Sequence, residues 1–260
     1  MGLVINIGYP VDSHETLLAR IRALPTEFVP RHFSTSEQVT DKKNLLSDDL
    51  KFSEFLQKSK RVGFTLVGEK ISYHVSPTTY RDHHNIPTHG YIYVEIKRGF
   101  KYQDRIDQLF FDLIDTDGIE FGYMCEHDES QHRHRFKKTW NSNQSGARSI
   151  ELTIGTDFNK YAPGLYWRTV FANDYLARHG VEIEFLDRLA LKIEPIDHRD
   201  PGGKNVYTFF DTWAQWPENQ LRLDNAIASN ESFFSMSRIG ARVESVSSQE
   251  ELMAALSRFT

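Results

Sequence analysis

The sequence predicts an α+β fold in which helices pack on one face of a mainly antiparallel sheet. Three observations support this class. Strand and helix patterns alternate along the chain, short turns join several strands as hairpins, and residues 91–97 (YIYVEIK) alternate apolar and polar side chains. Such alternation is typical of a sheet with one solvated face. We expect residues 1–260 to form a single domain, unless residues 1–60 form a separate N-terminal layer, an alternative that the sequence leaves open.

The N-terminal part of the chain predicts alternating strands and helices. Asp12, with Glu15 three positions later, forms a capping-box pattern at the start of a helix. Leu50, Phe55 and Leu56 are spaced to face inward from a second helix. The predicted elements are a strand over 3–8, a helix over 13–24, a helix over 48–59, strands over 61–67 and 70–75, and a loop over 76–89.

The middle of the chain continues this order. Ile92, Val94 and Ile96 are expected on one side of the strand over 91–97. The next helix places an apolar stripe on one face: Tyr102, Ile106, Leu109, Phe110 and Leu113. The predicted elements are a helix over 101–116, a strand over 119–126, a polar linker over 142–148, a strand over 150–154, a helix over the segment that ends at Gly180, and strands over 189–194 and 205–210.

The C-terminal part predicts an irregular aromatic region over 211–236 and a last helix over 249–259. Ser248 and Glu251 are spaced as a capping box for that helix. Trp213 and Trp216 precede Pro217 in the irregular region. Two tryptophans in this position form either a small core beneath a long loop or an exposed binding hot spot, and the sequence does not decide between them.

Composition indicates an ordinary globular protein. The formal net charge is -5, and no apolar run approaches the roughly 18 residues that span a bilayer. The first residues lack the basic start and apolar centre of a signal peptide, so we expect a cytoplasmic protein that does not contact the membrane. Cys125 has no second cysteine for an internal disulfide. Mild acidity argues against nucleic-acid binding, which depends on lysine and arginine meeting phosphates.

Residues 106–130 form the most unusual charged segment, because they contain eight carboxylates and no lysine or arginine. One interpretation is a solvated helix and strand surface, which the following basic run around Arg133 neutralises. The other is a binding surface for a basic partner, with Tyr123, Tyr91 or Tyr93 as anchoring contacts. The candidate partner-binding residues are Asp112, Asp115, Asp117, Glu120, Tyr123, Glu126, Asp128 and Glu129.

Histidines are concentrated between positions 74 and 134, which suggests a metal site as an alternative. Its ligands would be His127, His132 and His134, with the last two sharing a strand face. No HExxH motif or cysteine pair accompanies them. Cys125 and His127 also resemble a nucleophile and base, but the acidic neighbours would raise the pKa of the thiol. Motifs for acyl, phosphoryl and hydride transfer are absent, so we expect no catalytic residue and no cofactor.

The stretch APGLYWRTVFANDYLARHG, residues 162–180, is the most strongly patterned segment. Pro163 suits the first turn of a helix, and Gly180 suits the left-handed position just after its end. The aromatic and aliphatic residues between them cover most of a helix circumference, which predicts a central helix buried on several sides. The segment belongs to the scaffold on this interpretation.

This stretch, which follows a strand (SIELTIG), resembles bacterial immunity proteins of polymorphic and type VI secreted toxin systems. The resemblance covers about residues 90–210, and some of those families have a comparable Pro-Gly-Leu/Val-Tyr-Trp helix. It implies a cytoplasmic protein that binds a cognate toxin and blocks it, usually by covering the toxin's active site, without catalysis. It transfers no inhibitory residue, since a shared buried helix indicates a fold and not its contacts.

Our leading hypothesis is therefore an immunity protein that neutralises a toxin by stoichiometric binding, as a monomer or small homo-oligomer. The cognate toxin is expected to be basic at its contact surface. Two alternatives remain at this point. One is a metal-dependent hydrolase that uses the histidine-rich loops, and the other is a structural component of a secretion or phage-like assembly, which would form large self-associated species.

Overall fold

The computed structural model describes residues 2–35, 44–59, 63–81, 87–142, 146–155, 160–196, 203–243 and 249–256. Within these residues the chain forms a nine-stranded antiparallel sheet, a separate two-stranded ribbon and nine α-helices. This architecture confirms the predicted α+β class and its mainly antiparallel sheet. None of the described helices has the length and hydropathy needed to cross a membrane.

The strands of the large sheet lie in the order β10-β11-β9-β6-β1-β5-β4-β3-β2. They are β1 (Leu3–Pro10), β2 (His32–Ser34), β3 (Phe64–Val67), β4 (Ile71–Arg81), β5 (Pro87–Ile96), β6 (Phe121–Glu126), β9 (Arg168–Ala172), β10 (Lys192–Ile196) and β11 (Lys204–Thr208). The ribbon consists of β7 (Arg135–Ser142) and β8 (Gly146–Thr153). Because β1 pairs with both β5 and β6, the N-terminal strand lies at the centre of the sheet.

The helices connect these strands. They are α1 (His14–Arg22), α2 (Asp49–Ser59), α3 (Ile106–Ile114), α4 (His127–His134), α5 (Asn173–His179), α6 (Ile183–Leu189), α7 (Trp216–Ala228), α8 (Met236–Val243) and α9 (Gln249–Leu256). Short 3-10 turns occur at Val11–Ser13, Gln103–Arg105 and Trp213–Gln215.

One face of the large sheet is apolar and supports α3, with α1 packed beside it. Ile5 of β1 pairs with Val94 of β5 and Met124 of β6, so these side chains share that face. Arg168 of β9 pairs with Met124, and its Nη2 lies 3.1 Å from Oδ2 of Asp107 in α3. Since α1 contacts α3, both helices lie over this face.

The opposite face is covered over one half only. Asn6 and Tyr123 pair on this face, and the Tyr123 hydroxyl lies 3.5 Å from Oγ of Ser130 in α4. The half formed by β3, β4 and β5 is more polar. There the predicted alternation is confirmed, because Ile92, Val94 and Ile96 are buried whereas Tyr91, Tyr93 and Glu95 are half-buried.

A second, smaller core joins the β7–β8 ribbon to the C-terminal helices. Its buried members are Phe136, Ile154, Phe234, Ile239, Val243, Leu252 and Leu256. Lys138 of β7 also donates a hydrogen bond to the carbonyl oxygen of Val243 at the end of α8. The polar linker predicted over 142–148 is therefore wrong in its described part, where the ends of β7 and β8 pair. Residues 143–145 lie outside the described part of the chain.

The first two helices differ from the prediction in detail. Helix α1 begins at His14, and neither Ser13 nor the preceding 3-10 turn provides a side-chain cap, so the Asp12 capping box is wrong. In α2 Leu50 does not face inward, since it is 72% exposed. Phe52 is buried in its place, where its ring and that of Phe33 have centroids 5.2 Å apart.

Two predicted irregular regions are ordered. The loop predicted over 76–89 is wrong, because β4 extends to Arg81 and β5 begins at Pro87 through antiparallel pairing with a shift in register. The region predicted as irregular over 211–236 contains α7, with Pro217 in its first turn. Trp216 is buried and Trp213 is half-buried against the main core, so they do not form an exposed pair. Residues 82–86 and Ser248, with its predicted cap, lie outside the described residues.

Candidate functional site

Three of the eight predicted partner-binding residues are inaccessible. Tyr123 is 2% exposed, Glu126 is 7% exposed and Glu129 is fully buried. Tyr123 and Glu126 lie on β6, which is buried on both faces because α3 covers one and α4 the other. Glu129 lies on the inner side of α4. These three residues cannot contact a partner at the surface, and this part of the prediction is wrong.

Asp112 and Asp115 flank the guanidinium of Arg20, which reaches across from α1 to α3. Arg20 Nη2 lies 3.4 Å from Oδ1 of Asp112 and 3.5 Å from Oδ2 of Asp115. Arg20 Nε also donates a 2.7 Å hydrogen bond to the backbone oxygen of Asp112. One cation therefore serves two carboxylates and fixes α1 to α3.

Glu120 belongs to a structural ion pair at the start of β6. Arg178 of α5 donates to both of its oxygens, at 3.2 Å and 2.5 Å, and His89 Nε2 lies 3.1 Å from Oε2. Burial alone raises the pKa of Glu120, but the hydrogen bonds with His89 and Arg178 outweigh burial and lower that pKa to about 2. Glu120 therefore stays ionised and ties β5, β6 and α5 together.

Asp117 and Asp128 are both exposed, but they do not form one surface. Asp117 lies in the turn before β6, and Asp128 lies just after the strand, in the first turn of α4. A six-residue strand is about 20 Å long. Tyr91 and Tyr93 do not join Asp117 either, because they lie on the sheet face opposite α1 and α3.

Asp117 has acidic neighbours that sequence reasoning missed. Gly118 lies against Ser13, since a Cβ atom on Gly118 would be 2.1 Å from the Ser13 hydroxyl oxygen. This contact brings the acidic start of α1 next to the end of α3. We call the resulting surface the α1–α3 acidic face, and its members are Asp12, Asp112, Asp115 and Asp117, with Arg20 bound between Asp112 and Asp115. The available sequence signal was the acidic start of the first helix, about 100 residues before Asp112.

The histidines proposed as metal ligands do not come together. Residues 127–134 form α4 and not a strand, so His132 and His134 point in different directions. His132 is exposed and lies 3.0 Å from Asp224 Oδ2, whereas His134 is buried against Tyr166. His127 is half-buried beside β5. Over the described ranges no group of three histidine, cysteine or acidic side chains has metal-binding geometry.

Cys125 has the surroundings of an unreactive thiol. It is fully buried in β6, and burial, with the charge of Glu129 second, raises its pKa well above the ordinary value. A thiol that does not ionise is a poor nucleophile. The interpretation of Cys125 as a packing residue agrees with this environment.

A buried charged cluster lies beneath α4 and was not predicted. Oε1 of Glu129 lies 3.7 Å from Nη2 of Arg133, and Arg133 Nη1 donates a 3.0 Å hydrogen bond to Oδ1 of Asp224 in α7. The guanidinium carbon of Arg133 lies 5.2 Å and 4.9 Å from the ring centroids of Tyr166 and Trp216. Arg133 thus lies inside the protein between Glu129 of the acidic segment and Asp224 of α7. The cluster joins α4 to α7 and supports the scaffold.

The segment that ends at Gly180 is central but mostly not helical. Residues 163–167 have no regular secondary structure, β9 follows, and only α5 before Gly180 is a helix. The helical start at Pro163 is therefore wrong, whereas Gly180 does adopt the left-handed conformation, with φ of 65°. Tyr166 stacks on Tyr123 with ring centroids 3.7 Å apart. The predicted burial of the segment on several sides is confirmed at β9, which lies between β6 and β11 inside the sheet.

Comparison with known proteins gives a limited result. No protein-family model matches the chain, and no curated protein matches it. A solved structure described as Pseudomonas aeruginosa T6SS protein PA0821 aligns with a TM-score of 0.49 and 13% sequence identity. The alignment covers 90% of this chain and 73% of that chain. Similarity at this level gives no information about contacts or activity.

Proposed function

We propose that this protein is an immunity protein that binds a cognate secreted toxin and neutralises it by stoichiometric occlusion. The resemblance of residues 162–180 to immunity proteins of toxin systems suggests the class. The observation that carries the proposal is the α1–α3 acidic face, which presents four carboxylates and one arginine at the surface. We place the complex in the cytoplasm of the cell that makes the immunity protein.

The acidic face has properties suited to a basic protein partner. Asp12 and Asp117 are exposed, and clustered charge of one sign increases the rate of encounter with the opposite sign. Arg20 holds Asp112 and Asp115 in fixed positions, so part of the surface is ordered before a partner arrives. Ordering before binding reduces the entropic cost of association. The face is also rigidly supported, because α3 packs on the sheet.

The remaining exposed candidates have different roles in this proposal. Glu120 is near Asp117 in the chain but is engaged by Arg178 and His89. Asp128 lies at the other end of β6, outside the α1–α3 acidic face. We therefore assign toxin contact to the acidic face alone.

Charge reversal tests this assignment. The double variant Asp12→Lys and Asp117→Lys changes two exposed residues for which no ion pair occurs among the described residues. A matched control is Glu182→Lys with Glu184→Lys, which makes the same change of charge at two exposed residues at the start of α6. Asp12 likewise precedes α1, so each variant loses a favourable interaction with a helix dipole.

Binding is measured by calorimetry with a candidate toxin domain, sought among the products of the genes that flank the gene for this protein. We expect the acidic-face variant to raise Kd by at least about tenfold and the control to leave Kd within about twofold. Added salt should weaken the wild-type complex and have less effect on the variant complex. Equal affinities of wild type and acidic-face variant would contradict the surface assignment.

A further inference from the structure

A cleft of about 290 Å³ lies at the far end of the sheet from Asp12 and Asp117. It forms where the β3–β4 turn meets the segment that follows β5, and β1, about 25 Å long, separates this end from Asp12. The positive groups that line it are Arg31, Lys70 and Lys101, and its aromatic wall is Phe100 with Tyr102. Cations collect here although the whole chain has a formal net charge of -5.

The two carboxylates of the cleft do not cancel its positive charge. Glu27 accepts a hydrogen bond from Arg105, and the positive charge of Arg105 neutralises the carboxylate of Glu27. Glu69 lies 3.9 Å from Arg31, and both side chains are about two-thirds exposed. Neither Lys70 nor Lys101 forms an ion pair with a carboxylate among the described residues, although Tyr102 first and the more distant charge of Glu69 second raise the pKa of Lys101. The excess positive charge of the cleft therefore resides on these two amines.

Lys70 is held in place by an unusual backbone conformation. Its φ of 58° makes it the one non-glycine residue with positive φ in the described part of the chain. Lys97 donates a 2.9 Å hydrogen bond to the Lys70 carbonyl, and Lys70 Nζ donates a 2.9 Å hydrogen bond to the Gly99 carbonyl. Glycine adopts this conformation without strain, so the backbone gives no reason for a lysine at position 70.

The neighbouring turn makes room for the Lys70 amine. Gly99 also has positive φ, 76°, and a Cβ atom there would lie 3.0 Å from Lys70 Nζ. An ammonium group has three donors, and the Gly99 carbonyl uses one of them. The other two N–H donors of Lys70 remain for a ligand in the cleft. The Lys101 amine lies 4.9 Å from the Tyr102 ring centroid.

We propose that this cleft binds a phosphate group, held between the Lys70 and Lys101 amines with Arg31 at the rim. A phosphate supplies several acceptor oxygens and a charge opposite to that of the cleft. The phosphate is either free or the ester group of a small molecule, and the aromatic wall offers contact area to the remainder of an ester. This site is independent of toxin binding.

The test uses the melting temperature of the full chain in inorganic phosphate, compared with chloride at equal ionic strength. We expect a saturable rise in phosphate for the wild type, because ligands that bind only the folded state raise its stability. Lys101→Ala should reduce this rise. Glu69→Gln should enlarge the rise in melting temperature at low phosphate concentration, because the variant removes a negative charge that repels phosphate. Lys58→Ala, which changes an exposed lysine of α2 outside the cleft, should leave the rise unchanged.

Lys70→Gly separates ligand binding from folding. This variant removes the amine and relieves the strained backbone, so its melting temperature in chloride should equal or exceed that of the wild type while the rise in phosphate is lost. Lys70→Gln replaces the ammonium with a shorter, neutral amide and should also lose the rise. A nucleoside monophosphate that gives a larger rise than inorganic phosphate identifies an ester ligand, and an equal rise identifies the free anion. Absence of a saturable rise in the wild type, or an undiminished rise in Lys70→Gln and Lys101→Ala, would overturn the proposal.

Discussion

The carboxylate of Glu129 and the guanidinium of Arg133 face each other across one turn of α4 inside the protein, with Oε1 and Nη2 3.7 Å apart. Neither oxygen of Glu129 makes a hydrogen bond of normal geometry among the described residues. Burial raises the pKa of Glu129 to about 8, although the charge of Arg133 opposes this rise. We therefore expect Glu129 to be protonated in the folded protein at neutral pH, with Asp224 balancing Arg133.

The raised pKa of Glu129 predicts a loss of stability at higher pH. Between its ordinary pKa of 4.5 and about 8, the folded state holds a proton that the unfolded state has released. The free energy of unfolding should then fall as pH rises, by at most about 1.4 kcal/mol per pH unit from this group. Glu129→Gln should remove this part of the slope. Urea unfolding of both proteins at several pH values measures it, and parallel curves would show that Glu129 is ionised in the folded state.

Glu120 predicts the opposite behaviour in acid. Its pKa is lowered to about 2, so its contribution to stability is complete above pH 4.5 and is lost as pH falls toward 2. Glu120→Gln should lower the free energy of unfolding at pH 7 by about 1 kcal/mol, because water screens this partly exposed ion pair. The same variant should be less sensitive to acid than the wild type. Glu184→Gln, at an exposed position in the first turn of α6, is the control and should lower the free energy of unfolding by no more than about 0.5 kcal/mol and leave the acid sensitivity unchanged.

Two glycines with positive φ allow the energetic cost of backbone strain to be measured apart from that of a steric clash. A Cβ atom at Gly155 would lie 2.2 Å from the Phe234 ring, whereas at Gly180 the nearest atom is 3.9 Å away. Gly180→Ala should therefore cost about 1 kcal/mol for the left-handed backbone alone. Gly155→Ala should cost clearly more and loosen the second core. Denaturant unfolding of the two variants measures the difference, and equal losses would show that Phe234 moves aside.

The orientation of α2 predicts that alanine substitutions at Leu50 and Phe52 have unequal effects on the free energy of unfolding. Phe52 is 3% exposed, whereas Leu50 is 72% exposed. Phe52→Ala should lower the free energy of unfolding by about 3 to 5 kcal/mol, since it removes a packed aromatic ring. Leu50→Ala should change it by less than about 0.5 kcal/mol. A large loss at Leu50 would mean that the helix packs through the face that the sequence alone predicts.

Local patterns in the sequence predicted the elements whose signals are local. The alternation over 91–97 identified β5 and its buried face, and Gly180 correctly marked a helix end. The segment before Gly180 was misassigned because a strand buried on both faces and a helix buried all round show the same continuous apolar run. Val170 and Phe171 are buried on opposite faces of β9, and only the pairing with β6 and β11 reveals this.

The candidate site depended more strongly on contacts between distant residues. Glu129 looks like a solvated acidic residue in sequence, but Arg133 and Asp224 of α7, about 90 residues away, make its burial feasible. Asp12 joins Asp117 only because α1 and α3 pack side by side. Charge composition located the acidic segment. It did not indicate which carboxylates are buried, paired or exposed.

Neutralisation by stoichiometric binding predicts how toxin activity falls as this protein is added, and a titration measures that fall. Increasing amounts of the purified protein are added to a fixed amount of the neighbouring toxin domain, and residual toxin activity is measured. We predict a linear fall that ends at one protein per toxin, with activity restored when the acidic-face variant replaces the wild type. Full toxin activity at a large excess of the wild-type protein, or inactivation of many toxin molecules by each protein, would contradict the account.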